Sequence, residues 1–235
     1  ASLPVEEKNL LKNKVISNSY EPGSVIKPVI MSMALKEKLV DVNEHFYSAG
    51  YIEIHNRTIK DHDKSAVGSI TAKEAIAKSS NVVMAEIGMR FDKSKFYDEF
   101  RLYGFGEKSN INLPGEIRGI LKPLKRWDGL TPATSAFGQG ISVTPLQMAM
   151  ATNATINGGN LLTPIIVDKI VNEKGDIVYE SKPEVRRVVM TPEISAQVRD
   201  MMRETVVNGT GKAAGIEGYD IGGKTGTSQK AVNGQ

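Results

Sequence analysis

The 235-residue sequence has no cysteine, which excludes a disulfide scaffold, thiolate metal sites and a cysteine nucleophile. No apolar stretch reaches the ~18 residues that a membrane-crossing helix needs, and no basic-then-apolar leader opens the chain. Charge of one sign is scarce as well. Lys+Arg 30 against Asp+Glu 27 leave a formal +3, too little for a dedicated nucleic-acid or polybasic membrane surface. Histidine occurs three times, as His45, His55 and His62. Asp61-His62-Asp63 invites a metal reading, but three adjacent residues cannot aim at one ion without an unusual turn. A polar loop is expected there. Internal repeats and low-complexity tracts are also missing.

What is present is ordinary for a folded domain: 40% hydrophobic and 24% charged residues. The length allows one sizeable domain or two small ones with a real core. Pro22-Gly23 is a turn signal, and the pattern after it predicts a partly buried helix of about 14 residues from Ser24, with Pro28 in its opening turn. Residues 41–69 read as loops and short strands. Thr71-Ala-Lys-Glu74 and Thr144-Pro-Leu-Gln147 are capping boxes, each opening a helix. The first helix is interrupted at Ser79-Ser80-Asn81, residues that favour caps and turns. Helices over about Val82–Arg90 and Lys95–Tyr103 follow, then a Gly/Pro-rich loop over 104–135. Ile165–Asn172 and Asp176–Glu180 predict a hairpin, Arg187–Met190 a short strand, and Thr191-Pro-Glu a helix to about Val207. Tyr219–Ser228 reads as a glycine-rich strand. The sum is an α+β chain: a helical part against a small, mainly antiparallel sheet. The methionines at 31, 33, 84 and 89 are expected in the core. Trp127 is expected to be a half-buried loop anchor.

Three short clusters carry possible chemistry. Ser24 and Lys27 are three apart, which puts them on one helical face about a turn apart. Ser24 lies where backbone N–H groups are unpaired and the helix dipole is positive, which suits a nucleophile whose attack creates an oxyanion. Lysine can take the serine proton only if burial or a neighbouring cation lowers its pKa. Alone, the pair reads more simply as a helix cap and a solvated lysine. Ser79-Ser80-Asn81 alone is a helix junction, and Lys224-Thr225-Gly226-Thr227 alone an edge strand.

Together, in the order Ser-x-x-Lys, Ser-x-Asn, Lys-Thr-Gly, the clusters match the three-part signature of penicillin-binding proteins and serine β-lactamases. The resemblance extends to Tyr20-Glu-Pro-Gly-Ser-Val-Ile-Lys27, to Ala136-Phe-Gly-Gln-Gly-Ile-Ser-Val-Thr-Pro-Leu-Gln147 and to Gly218-Tyr-Asp-Ile-Gly-Gly-Lys-Thr-Gly-Thr227. From about Lys14 to Thr227 the sequence resembles the transpeptidase domain of class B penicillin-binding proteins. The flanks Lys14–Gly23 and Lys78-Ser-Ser-Asn-Val82 lean towards the division-type (FtsI-like) members.

The resemblance implies a serine acyltransferase with no metal or cofactor, of the penicillin-binding protein transpeptidase and serine β-lactamase-like fold. Ser24 would attack the penultimate D-Ala carbonyl of a peptidoglycan stem peptide, with Lys27 as general base. Ser79 would relay a proton to the leaving amine, and Asn81 would hold Lys27 and the substrate amide. Lys224 would supply a positive field. Thr225 and Thr227 would bind the substrate carboxylate, with Gly226 leaving room for substrate backbone. The oxyanion would sit between the N–H groups of Ser24 and Thr227. Implied partners are stem peptides, β-lactam antibiotics and membrane proteins of division or elongation, with no nucleic acid. The implied place is the outer face of the bacterial cell membrane. Against the family, residues 1–235 are expected to be one transpeptidase domain, clipped at both ends, without anchor or pedestal. Two strands and a terminal helix are expected to be missing after the Lys224 strand, which would then form a sheet edge.

Three other readings compete. Gly218–Thr225 formally matches the phosphate-binding pattern Gly-x-x-x-x-Gly-Lys-Thr, but that loop must open a helix. A β-lactamase or β-lactam sensor shares the signature, and a β-lactamase needs a base for deacylation. Glu116 is the nearest candidate by chain order, though a plain loop carboxylate fits it better. A non-catalytic scaffold is disfavoured by intact Ser24, Lys27, Ser79, Asn81 and Lys224.

Overall fold

The computed structural model describes residues 11–62 and 67–226. Along the chain come α1 (Lys14–Ser17), a 3₁₀ turn (Gly23–Ile26), α2 (Lys27–Lys36), β1 (His45–Ser48), β2 (Tyr51–Ile54), β3 (Arg57–Lys60) and β4 (Gly68–Thr71). Next are α3 (Ala72–Ala77), α4 (Asn81–Met89), α5 (Lys93–Leu102), α6 (Thr131–Ser135) and α7 (Pro145–Ile156). Then β5 (Asn160–Leu162), β6 (Lys169–Val171), β7 (Ile177–Glu180), β8 (Val185–Val188) and α8 (Pro192–Val207) complete the α+β order.

The organising element is α2. Every residue from Lys27 to Ala34 is buried, as expected of a helix that is apolar nearly all round. It packs against α8, α7 and α4. One continuous core joins Val29, Ile30 and Met33 to Ile76, Val83, Met84 and Ile87. Phe91, Phe96 and Phe100 extend this core, and Trp127 meets Phe96 edge-on at 6.1 Å. Trp127 is therefore buried rather than half-buried, and its indole N–H donates to Lys122 O at 2.9 Å. Met31, Met33 and Met84 lie in the core, whereas Met89, the last residue of α4, is exposed.

Both capping boxes form. Thr71 Oγ1 accepts from Glu74 N while Glu74 Oε2 accepts from Thr71 N, and Thr144 and Gln147 do the same. Helix α6 falls inside the stretch expected to be loop. Five residues with Pro, two Thr and Ser carry little helix propensity. Asp128 supplies the start: its Oδ1 accepts from Leu130 N, Thr131 N and Thr131 Oγ1, and these bonds hold its pKa below the usual carboxylate value. Close packing onto α4 holds the rest, since a Cβ at Gly88 would lie 2.5 Å from Pro132 O.

The strands form four separate two-stranded antiparallel ladders, β1–β4, β2–β3, β5–β8 and β6–β7. The expected hairpin is β6–β7. The strand expected at Arg187–Met190 forms earlier, as β8, because Val189 and Met190 turn into the core. Residues 219–226 carry no strand pairing, and 227–228 of the expected strand lie outside the described residues. A segment becomes a strand only with a neighbour for its N–H and C=O groups. Here Gly223 N instead donates to Met202 O on α8, at 3.0 Å.

Candidate active site

The approach to Ser24 is fixed by backbone bonds to a distant segment. Tyr20 and Val143 exchange N–H···O bonds of 3.0 and 2.9 Å, and Gly23 N donates to Gly138 O at 3.1 Å. Glu21 Oε1 accepts from Gly140 N at 2.8 Å. Gly23 has φ +56°, and a Cβ at Gly138 (φ +87°) would land on the backbone of Gly23. Only glycine fits where two backbones approach this closely. The 136–143 segment thus clamps the chain on the N-terminal side of Ser24.

Ser24 sits in the 3₁₀ turn, and Lys27 is the first residue of α2. The long helix therefore begins at Lys27 rather than at Ser24. The tight turn explains the spacing of three: in 3₁₀ geometry side chains at i and i+3 eclipse, and Lys27 N bonds Ser24 O.

Lys27 is 0% exposed. Its Nζ donates to Ser79 O at 2.6 Å, to Ser79 Oγ at 3.2 Å and to Asn81 Oδ1 at 2.8 Å. Burial, then the charge of Lys224, push its pKa well below the usual lysine value, while Asp61 pulls the other way. The first two sequence clusters therefore meet at one buried amine.

The Ser79-Ser80-Asn81 junction separates two helices that each end or begin on it. Ser79 has φ +61°, a left-handed conformation uncommon for a non-glycine residue. Ser79 N bonds Ile76 O and Ser80 N bonds Ala75 O, closing α3. Ser80 Oγ accepts from Val83 N, capping α4. Ser79 and Asn81 thereby face Lys27, while Ser80 serves the backbone. Asn81 Nδ2 donates to Lys60 O at 3.0 Å, which fixes its amide with Oδ1 towards Lys27.

The third cluster is held differently. Lys224 is partly buried, and that burial lowers its pKa to about 8. Its Nζ donates to Thr225 O at 3.0 Å and approaches Thr225 Oγ1 at 3.1 Å. Thr225 Oγ1 also lies 2.7 Å from Thr210 Oγ1. A Cβ at Gly226 would lie 2.5 Å from Val25 Cγ1, so the missing side chain at 226 first makes room for the residue after Ser24. Thr227 lies outside the described residues.

Other sequence candidates part from this site. Glu116 Oε1 accepts both the N–H and the hydroxyl of Ser109, each at 2.5 Å, a loop role. Residues 221–226 are not helical, and the residues after Gly226, where a phosphate-binding loop continues into its helix, lie outside the described ones. In the Asp61-His62-Asp63 triplet, Asp63 lies outside the described residues. Asp61 lies in the expected loop, directly after β3, but is buried rather than solvated: it is 5% exposed and accepts from Asn81 N at 2.5 Å. Its side-chain partners are thirteen to twenty-one residues away in sequence, and no local pattern marks it. Among the described residues no group of three His, Cys, Asp or Glu is arranged to hold a metal, and no helix is long and apolar enough to cross a membrane.

Residues 2–235 match the family model described as the penicillin binding protein transpeptidase domain. The chain is 37% identical over 226 residues to stage V sporulation protein D of Bacillus subtilis, covering 95% of this chain and 35% of that protein. It spans about a third of the length of the curated relatives it matches. Among solved structures, penicillin binding protein 3 from Mycobacterium tuberculosis, complexed with aztreonam, aligns with TM-score 0.87 and 32% identity over 99% of this chain and 54% of that one. The D,D-transpeptidase domain of a peptidoglycan glycosyltransferase from Eggerthella lenta aligns with TM-score 0.89 and 28% identity, over 97% of this chain and 60% of that one.

Proposed function

Because the chain belongs to the penicillin-binding protein transpeptidase family, we propose that it is the catalytic part of a peptidoglycan D,D-transpeptidase working through an acyl-enzyme on Ser24. The observation that carries the reading is the buried Lys27 amine, held by Ser79 and Asn81 and depressed in pKa by burial and Lys224.

In the first half-reaction Ser24 Oγ attacks the carbonyl of the penultimate D-Ala while Lys27 Nζ takes its proton. Backbone N–H groups at Ser24 and Thr227 receive the oxyanion. The C–N bond then breaks, the terminal D-Ala amine leaves with a proton relayed from Lys27 through Ser79, and an ester remains on Ser24. In the second half-reaction the amino group of a neighbouring stem peptide attacks that ester. A new amide forms, and Ser24 Oγ recovers its proton. Lys224 attracts the substrate carboxylate, aided by Thr225 and Thr227, and Asn81 holds the substrate amide. A β-lactam enters by the same attack, with ring opening in place of D-Ala release, and stays attached.

The substrate places the reaction on the outer face of the bacterial cell membrane, beside the membrane proteins of division or elongation. The test is mass spectrometry of the full-length protein after benzylpenicillin. One long-lived adduct on Ser24, lost in Ser24→Ala, is expected. A folded protein without an adduct overturns the reading, and rapid turnover of the adduct replaces it with a β-lactamase.

A further inference from the structure

Asp61 follows β3 directly, and its carboxylate turns inward instead of meeting solvent. Oδ1 accepts from Asn81 N at 2.5 Å, Val82 N at 3.1 Å and Ser80 Oγ at 3.1 Å. Oδ2 accepts from Ser48 Oγ at 2.9 Å and again from Ser80 Oγ at 3.1 Å. The Asp61 backbone is itself fixed, since its N–H donates to Gly50 O at 2.9 Å. One carboxylate therefore ties together the end of β1, the exit of the β2–β3 hairpin and the first turn of α4. A carboxylate at a helix N-terminus is also favoured by the helix dipole.

The tied turn is the one that faces Lys27. Ser79 is in the left-handed region, and α3 secures only its N-terminal side, through Ser79 N and Ser80 N. On the C-terminal side the N–H groups of Asn81 and Val82 and the hydroxyl of Ser80 all run to Asp61. Asn81 is held at three points: its N–H by Asp61, its Nδ2 by Lys60 O and its Oδ1 by Lys27 Nζ.

We infer that Asp61 is a positioning residue of this site, whose buried carboxylate locks the Ser79-Ser80-Asn81 turn to the neighbouring ladders and so holds Ser79 and Asn81 on Lys27. The inference rests on the proposed roles of Ser24 and Lys27. Asp61 does not touch the reacting atoms; it acts through the junction. The charged groups acting on Lys27 come from two elements: Lys224 from the C-terminal segment lowers its pKa, and Asp61 from the loop after β3 raises it. The same carboxylate thus sets geometry and partly offsets the neighbouring cation.

The experiment compares full-length wild type, Asp61→Asn and Asp61→Ala by the second-order rate of acylation with a fluorescent penicillin across pH, alongside thermal melting. Asp61→Asn keeps an oxygen for the Asn81 and Val82 N–H groups but removes the charge. Lys27 then loses its proton more readily, and the acid-side inflection of the rate moves to lower pH by ~0.5 unit or more. Asp61→Ala removes the lock, and the maximal acylation rate falls ~30-fold or more, because misplacing a catalytic group by about an ångström has effects of that order.

An Asp61→Asn profile that superimposes on wild type overturns the inference, as does a folded Asp61→Ala protein that acylates at the wild-type rate. Should Asp61→Ala fail to fold, the Asp61→Asn profile alone decides. Wild type that never labels at Ser24 overturns the proposed function and this inference together. Wild type that labels normally while both variants behave like it overturns the inference alone.

Discussion

Lys27 and Lys224 are neighbouring lysines in opposite surroundings. Lys27 is fully buried, and its amine reaches two residues more than fifty positions away. Lys224 is partly buried, and the hydrogen bonds of its amine go to the adjacent Thr225. The backbones around them differ in the same sense. The Ser24 side is tied through Tyr20, Gly23 and Val143, with glycine backbone lying directly on glycine backbone. The 219–226 segment is held on α8 by the Gly223 N–Met202 O bond and the Asp220–Arg203 ion pair, and Gly226 faces the Val25 side chain. In the proposed function the two surroundings suit a division of labour: a base needs a fixed, dry environment to stay neutral near pH 7, whereas a cation that greets an anionic substrate needs access.

This contrast can be tested from its strongest element downward. Lys27→Met should lower penicillin acylation ~10³-fold, within the usual worth of a general base, measured as adduct formation per unit time. An acylation rate within threefold of wild type would mean that the buried amine is not the base. Gly138→Ala should destabilise the protein by ~3 kcal/mol, since it combines positive φ with a backbone clash that has nowhere to relax. Denaturant melts would show this, and an unchanged midpoint would mean that the clamp on Ser24 is soft.

Lys224→Met should reduce acylation ~10²-fold through loss of the anion-attracting charge, and should also reshape the pH profile. The sign follows from the two depressed pKa values. In wild type the rate rises as Lys27 deprotonates and falls above pH about 8 as Lys224 deprotonates. Without Lys224, the Lys27 pKa rises, the acid limb moves to higher pH and the limb near 8 disappears. Persistence of that limb in the variant would assign it to another group. The smallest effect belongs to Gly226→Ala, at ~1 kcal/mol, because a Cβ there meets a side-chain methyl of Val25 rather than backbone. Val25→Ala in the same chain should relieve most of it. A loss as large as that of Gly138→Ala would erase the distinction between the two regions.

Much of the local order was legible in the sequence. The Thr71 and Thr144 boxes, the turn at Pro22-Gly23, the β6–β7 hairpin and the extent of α8 follow from short-range chemistry, so residue type and spacing suffice to expect them. Helix α6 escaped because its helical residues are poor helix formers; Asp128, three positions before Thr131, was the available signal. The expected strand at 219–228 was read from composition, but pairing depends on a neighbour that composition does not name. Asp61 escaped for a related reason: its worth comes from Ser48, Ser80, Asn81 and Val82, and Ser48 and Asn81 sit on elements that meet only in the fold.

The sequence by itself determined the inventory: a serine and a lysine three apart, a Ser-x-Asn junction, a Lys-Thr-Gly segment, and no thiol to compete with them. Those choices are local, and local spacing is enough to state them. Only the tertiary structure decided that Lys27 is dry, that Ser79 and Asn81 rather than Ser80 face it, and that Asp61 holds the junction in place. The physical reason is that a lysine becomes a base through desolvation and through charges supplied by distant segments.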